Sequence, residues 1–356
     1  MRQLIRPLLA AALVGSAGAM LPRLTGAAPS SAKIGGDLNV VAWEGYTDPS
    51  FVKPFEKQTG CTIHSTYAGS SNEMFAKFRS GGGTTYDLVS ASGDASLRFI
   101  RAGVVQPVDV SKVPNWKDLA PQLKSPPHNT VNGKHYGVSF MWGPDVLIYN
   151  TKDFKTAPTS WSVLYNPKYK GKITIPDNPE QIADAAVYLH YKHPYSLTDA
   201  QLSKIKTVLQ QQRLLVRHYW ALAGDFESLF KNHEVILGAG WPLMTNDLKA
   251  AGAPVAETIP REGATGWADT WMLSARSKHS ACAYAWMNYA LSPAVQKQVV
   301  AVTNYSPANV KTAKLLGPAK SKALHITDTR YFDTIQFWQS PPNFDKWVTL
   351  WAEVKG

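Results

Sequence analysis

Apolar residues come in short blocks along the chain, and their spacing switches between a period of two and a period of about 3.6, as strands and amphipathic helices do when they alternate. Leu38, Val40 and Val41 form a β-rich run that ends in a turn at Gly45. Phe51, Val52 and Phe55 then share one helical face between Asp48-Pro49 and Thr59-Gly60, so Asp48 is expected as the N-cap, Pro49 as the first helical residue and Gly60 as the stop. CTIHSTYA reads as the next strand, and NEMFAKFRSG as a helix carrying Met74, Phe75 and Phe78. YDLVSAS, beyond the glycines at 81–83, is a third strand, and LRFIRAGVVQPVD adds a helix ending at Gly103 with a short extended piece before Asp109. This alternation predicts an α/β sheet flanked by helices.

The pattern changes at Val138. VSFMWGPDVLIYN, through Asn150, is one extended run interrupted by Gly143-Pro144, and its length suits a segment passing from one lobe to another. KGKITIPD restarts the alternation, followed by helices expected near 181–189 and 199–211 and a buried strand in HEVILGAGW. TGWADTWMLSA, reached through a proline- and glycine-rich approach at 254–266, is a second extended crossing. Two crossings predict a hinge, and 356 residues with 44% hydrophobic and 18% charged positions suffice for two cores. A helix over 280–291 places Ala283, Trp286, Met287 and Ala290 at core spacing, and Pro293 starts another.

Charge alters this picture little. The formal +11 comes from 37 Lys and Arg against 26 Asp and Glu, but the densest basic group, Lys168, Lys170 and Lys172, is diluted by Tyr169 and Gly171. A solvated basic surface is expected, with no nucleic-acid partner. The opening MRQLIRPLLAAALVGSAGAMLP sets Arg2 and Arg6 before an apolar, small-residue stretch and reads as a secretory signal over 1–32, with candidate processing positions around Ala27, Ala28 and Ala32. Its removal takes away Arg2, Arg6 and Arg23 and lowers the charge from +11 to +8. Export places Cys61 and Cys282 in an oxidising compartment, where a disulfide is allowed but not implied. The nine His are scattered and no CxxC occurs, so neither a metal site nor a cofactor is expected.

Candidate chemistry gathers at strand ends, where open α/β sheets bind their ligands. Trp43 and Tyr46 follow the first strand, Trp241 follows HEVILGAG, Trp267 opens the second crossing, and Tyr305 precedes Ser306-Pro307. Carboxylates accompany them: Glu44 between Trp43 and Tyr46, Asp94 after YDLVSASG, Asp177 and Glu180 in IPDNPE, and Asp269 two residues after Trp267, hence on the same strand face. Asp177 and Glu180 also fit a capping box. Aromatic faces beside carboxylates suit an amine, because the rings attract the ammonium and its methylene stem while the carboxylates accept charged hydrogen bonds. No GxGxxG, Walker-type Gly-Lys-Ser or G-x-S-x-G run supports a nucleotide site or a hydrolase elbow. The enzyme alternative is a secreted glycoside hydrolase using Asp177 and Glu180 as acid and base. Against it, the two lie close on one segment, whereas opposed carboxylates usually come from separated ones.

AWEGY, KFRSGGGTTYDLVSAS, SFMWG, SWSVLYNPKYKGKITIPDNPE, GAGW, GWADTW and NYSPAN, in this order and spacing, resemble the periplasmic polyamine-binding proteins, the substrate-binding components of spermidine/putrescine ABC transporters. The resemblance implies a two-lobed periplasmic-binding-protein fold, each lobe a mostly parallel sheet with helices on both faces. Lobe 1 would take residues 33–143 and 269–312, and lobe 2 residues 144–268 and 313–356. An aromatic box of Trp43, Tyr46, Trp241, Trp267 and Tyr305 would surround the aliphatic chain, with Asp177, Glu180 and Asp269 as partners for the amines. Gln339 in FWQ would add a polar contact, and Ser92 a hydroxyl at the mouth. The family implies a periplasmic monomer, not an enzyme, that captures a polyamine and docks on a membrane permease. Gly93 and Asp94 stand where the family carries aromatic residues, and Glu44 where it carries a small hydroxyl residue. More charge with less aromatic wall points to a longer or more highly charged amine, or to another cationic solute. Within the same fold the alternative is a different solute, such as ferric ion held by tyrosines.

Overall fold

The computed structural model describes residues 33–80, 84–328 and 330–356, so the expected secretory signal lies outside the described residues. The first half contains β1 (Gly36–Ala42), α1 (Pro49–Thr59), β2 (Cys61–Tyr67), α2 (Ser71–Ser80), β3 (Leu88–Ala91), α3 (Gly93–Arg101), β4 (Val105–Gln106), α4 (Pro121–Lys124), β5 (Thr130–Val131), β6 (Lys134–His135) and β7 (Val138–Pro144). Next come β8 (Val146–Asn150), β9 (Ile173–Pro176), α5 (Gln181–Tyr188), α6 (Asp199–Arg213), β10 (Val216–Trp220), α7 (Ala223–Lys231), β11 (Leu237–Gly240), α8 (Pro242–Ala250) and β12 (Val255–Thr258). The chain ends with β13 (Ala264–Ser274), α9 (Ser280–Ala290), α10 (Pro293–Thr303), β14 (Ser306–Pro307), α11 (Thr312–Leu316), α12 (Pro318–Ala323), β15 (Ile335–Phe337) and α13 (Phe344–Lys355).

Helix α1 forms as its sequence dictates. The Asp48 carboxylate accepts the Ser50 amide at 2.8 Å, Pro49 supplies the first helical φ, and Gly60 ends the helix in the left-handed region at φ 74°. Phe51, Val52 and Phe55 are the buried face.

Two sheets divide the fold. The first runs β14-β7-β13-β3-β1-β2, with β15 and β4 also on β13, and the second runs β10-β9-β11-β8-β12. Strands joined through helices pair in parallel, as β2-β1-β3 and β10-β9-β11 do. Strands at the crossings enter antiparallel: β13 against β3 and β7, and β8 against β11 and β12. The sheets expected to be mostly parallel are therefore mixed, because a crossing strand arrives without a helix to reverse it.

The extended run from Val138 splits at Asp145, leaving β7 in the first sheet and β8 in the second. The return lies between Thr258 and Ala264, since β13 belongs wholly to the first sheet; the boundary expected after residue 268 falls inside that strand. All eleven residues of β13 are buried, as befits a central strand covered on both faces. A third passage follows β15, which pairs with β13, and leads to α13, which packs on α5 and α6. Cys61 at the start of β2 and Cys282 in α9 form a disulfide, with Cα atoms 5.9 Å apart and a sequence separation of 221. In the chain-entropy picture a loop of that size is worth roughly 5 kcal/mol. No helix among the described residues is long and apolar enough to cross a membrane.

Candidate functional site

Strand β13 carries the site into the space between the two sheets. Trp267 and Asp269 alternate onto one face, and the strand's register against β7 shifts between Ala268, opposite Trp142, and Thr270, opposite Ser139. That count gives β7 one extra residue beside Asp269, a bulge of the kind that re-aims side chains near binding sites. The Phe140 carbonyl in the bulge accepts Gln296 Nε2 at 2.7 Å and the Ala308 amide at 3.1 Å. Gly143 lets the Trp267 ring lie close over β7, because a Cβ there would stand 3.0 Å from the indole.

A cavity opens where these elements meet. Trp43, Glu44, Ser92, Trp241, Trp267, Asp269, Tyr305 and Trp338 line about 280 Å³ of unfilled space, counting its mouth. The aromatic walls pack edge to face, with Trp43 5.9 Å from Trp241, Trp241 6.1 Å from Trp267, and Trp267 5.0 Å from Tyr305 between ring centres. Trp43 Nε1 is buried there without a hydrogen-bond partner among the described residues.

Asp269 is 2% exposed, and its two carboxyl oxygens have different donors: Ser92 Oγ donates to Oδ1 and the Tyr46 phenol to Oδ2. Burial pushes this carboxyl up to about 7, against the pull of the two hydroxyls, and Asp94 adds to the rise. Ser92 occupies the N-cap of α3 yet makes no capping bond, so its hydroxyl is committed to Asp269 instead. Tyr46 lies one layer behind the wall, 6.1 Å from Tyr305 between ring centres. An ammonium beside Asp269 would meet a carboxylate already oriented by hydroxyls, and its methylenes would meet the rings of Trp43, Trp241, Trp267, Tyr305 and Trp338.

Residues 50–326, well over half of the chain, match a family described as bacterial extracellular solute-binding protein. The chain belongs to that family. It is 29% identical over 289 residues to the spermidine/putrescine-binding periplasmic protein of Escherichia coli (strain K12), covering 80% of this chain and 81% of that protein. A spermidine/putrescine ABC transporter substrate-binding protein from Streptococcus pneumoniae superposes with a TM-score of 0.74 at 20% identity, covering 90% of this chain and 98% of that one. AgtB from A. tumefaciens R10, solved in complex with agropinic acid, fits as well, with a TM-score of 0.74 at 20% identity and coverages of 90% and 98%. The fold is thus the two-lobed one of periplasmic binding proteins, and that fold accommodates chemically different solutes.

Other sequence candidates in this solute-binding protein lie elsewhere. Asp177 accepts Trp351 Nε1 at 2.9 Å and Lys355 Nζ at 2.6 and 2.8 Å, so it fastens α13 to the end of β9 and does not line the cavity. Gln339 lines a separate surface pocket with His193, Tyr195 and Pro342. Its neighbour Trp338 is the cavity residue that the sequence reading missed. Trp338 follows the short strand β15, and the rule that picked out Trp43 and Trp241, an aromatic just past a strand end, applies to it equally. Asp94 is held by the Ser71 hydroxyl at 2.8 Å and pushed up to about 6, with burial as the main cause and Ser71 and Arg98 opposing it. Glu180 is 1% exposed, and neither carboxyl oxygen has a hydrogen-bond partner among the described residues. Burial, then Asp94, hold it well above the ordinary carboxylate range, and it makes no cap on α5. Asp177 and Glu180 therefore form neither the expected capping box nor a shared acid-base cavity.

A second group of buried acids stands at the hinge. Thr265 Oγ1 lies within hydrogen-bonding reach of both Asp145 and Asp184, and Trp338 Nε1 donates to Asp145 at 3.2 Å. One hydroxyl proton cannot serve two carboxylates, so one acid keeps its own proton and donates it. Burial and the neighbouring Asp184 push Asp145 well above its usual range, and burial pushes Asp184 up to about 7 against Thr265 and Gln181.

Proposed function

We propose that the protein is an extracytoplasmic, monomeric binding protein that captures polyamines of the putrescine and spermidine class between its lobes and delivers them to the permease of an ABC transporter. The observation that carries this reading is Asp269, a buried carboxyl fixed by Ser92 and Tyr46 on the floor of a cavity walled by Trp43, Trp241, Trp267, Trp338 and Tyr305. Buried carboxylates need a compensating charge, and aromatic faces attract a cation as it loses its water. The names of the periplasmic relatives, polyamine binders among them, support the same ligand class. Capture proceeds by the lobes rotating about the crossings at Asp145 and at residues 259–263, the hinge mode of domain closure.

A second reading, the same fold serving another solute, draws on Trp43 Nε1, a buried donor that an ammonium cannot use. A thermal-shift screen of the protein against putrescine, spermidine, spermine, arginine, choline, ferric citrate and simple sugars separates the two, because a ligand that binds only the native state raises the melting temperature. A rise confined to the di- and polyamines is the expected result. A rise with a sugar or ferric citrate alone would discard the polyamine assignment and keep the binding fold.

A further inference from the structure

Arg98 lines no part of the cavity, yet it joins the two lobes. Its guanidinium carbon lies 4.4 Å from the centre of the Phe75 ring and 4.1 Å from that of Phe344. Nη1 donates to Asn72 Oδ1 at 2.7 Å, which fixes the group from the side of α2. Asn72 and Phe75 belong to α2, and Arg98 to α3, which packs on α2 and on β13; Phe344 is the first residue of α13, which packs on α5 and α6. One ring therefore travels with Arg98 and the other with the opposite lobe.

The setting favours a guanidinium at this point. Burial disfavours the cation, and Asp94, Glu180 and Asp345, the neighbour of Phe344, stand close enough to offset that cost. A guanidinium is planar and weakly hydrated, so it gives up water to lie on rings more readily than an ammonium does. A cation over a ring gains most where it is partly desolvated. The lobes also meet where Asn246 Nδ2 of α8 donates to the Val302 carbonyl of α10 at 3.1 Å, and where a Cβ on Gly69 would stand 2.3 Å from the Ala221 carbonyl. If the lobes part, water replaces a hydrogen bond such as that of Asn246 at little net cost. Water offers the Phe344 ring no substitute for Arg98.

We propose, resting on the hinge closure described above and not on which solute is captured, that Arg98 and Phe344 form a clasp that draws the lobes together before any ligand enters and slows the escape of a ligand already held. A contact made only in the closed form raises the population of that form, and every ligand bound there benefits by the same factor whatever its chemistry.

Small-angle X-ray scattering of the ligand-free protein tests the clasp, with Phe344→Leu removing the ring and Arg98→Lys removing the planar group while keeping a positive charge among the acids. Both variants are expected to show a larger radius of gyration than the wild type, with a Kratky plot that stays bell-shaped, which separates parted lobes from an unfolded chain. Stopped-flow measurements with putrescine and with spermidine are expected to show dissociation faster by about fivefold for both ligands, with association within about twofold of the wild type. Wild-type scattering in both variants, or a wild-type dissociation rate, would overturn the clasp. A wild type that binds neither amine would discard the amine reading and leave the clasp standing on the scattering difference.

Discussion

Asp269 and Asp184 are both buried carboxyls pushed up to about 7, yet their surroundings differ in the respect that decides their roles. Asp269 has a separate hydroxyl donor on each oxygen and open space beside it. Asp184 accepts Gln181 Nε2 on one oxygen and competes with Asp145 for the single Thr265 proton on the other. The first carboxyl stands alone among aromatic rings with both oxygens oriented by hydroxyls; the second shares one hydroxyl with a neighbouring acid. Both acids line a cavity of similar size, about 280 Å³ at Asp269 and about 260 Å³ at Asp184, so burial, acidity and space alone do not mark a ligand group; the four indoles and the phenol that wall the first cavity do.

Removing the charge from the first site is the harshest test of this contrast. Asp269→Asn is expected to weaken polyamine binding about a hundredfold, or about 3 kcal/mol, as read by calorimetry. Unchanged affinity would mean that the cavity does not hold the ammonium. The pH dependence of wild-type binding should follow, because a cation needs Asp269 ionised. Affinity is expected to rise by up to about tenfold per pH unit as pH approaches 7 from below, then to level off, with up to one proton released per ligand in buffers of different ionisation enthalpy.

Folding stability should move in the opposite direction over the same window. A carboxyl whose folded-state pKa is raised binds its proton more tightly in the native protein, so its contribution is fully present below the unfolded value near 4 and is lost as pH rises through about 7. Asp184→Asn is accordingly expected to flatten this loss and to stabilise the protein at pH 8 by about 1 kcal/mol in denaturant unfolding, while leaving polyamine affinity within about threefold. A large loss of affinity in this variant would erase the distinction between the two sites. Gln339→Ala should have the smallest effect, less than about twofold in affinity, because its pocket is a different one.

Much of this was legible before any coordinates. The cap of α1, the two crossings and the shared face of Trp267 and Asp269 follow from local rules, since each depends on neighbours a few residues away. What stayed hidden depends on distant partners. Nothing near Asp177 announces Lys355, which lies 178 residues further on and takes it out of the cavity. Ser92 was expected as a hydroxyl at the mouth, but its bond to Asp269 depends on β13, 177 residues further on. Trp338 was missed and the third passage was expected early, between residues 312 and 313, because the short strand β15 owes its place in the first sheet to β13 beside it. The disulfide was open for the same reason, two cysteines far apart offering no spacing rule.

That disulfide also decides how the molecule survives damage. Residues 61 and 282 enclose the chain's first excursion through the second lobe, from β8 to β12, so covalently that part of the lobe is a loop of a closed ring, while α13 returns to it from outside. A protease that cuts once anywhere on that loop opens the ring but frees no fragment, and the nicked protein runs as one species until a reductant is added. A binding protein working outside the cell can thus lose a peptide bond in its moving half and keep both halves together.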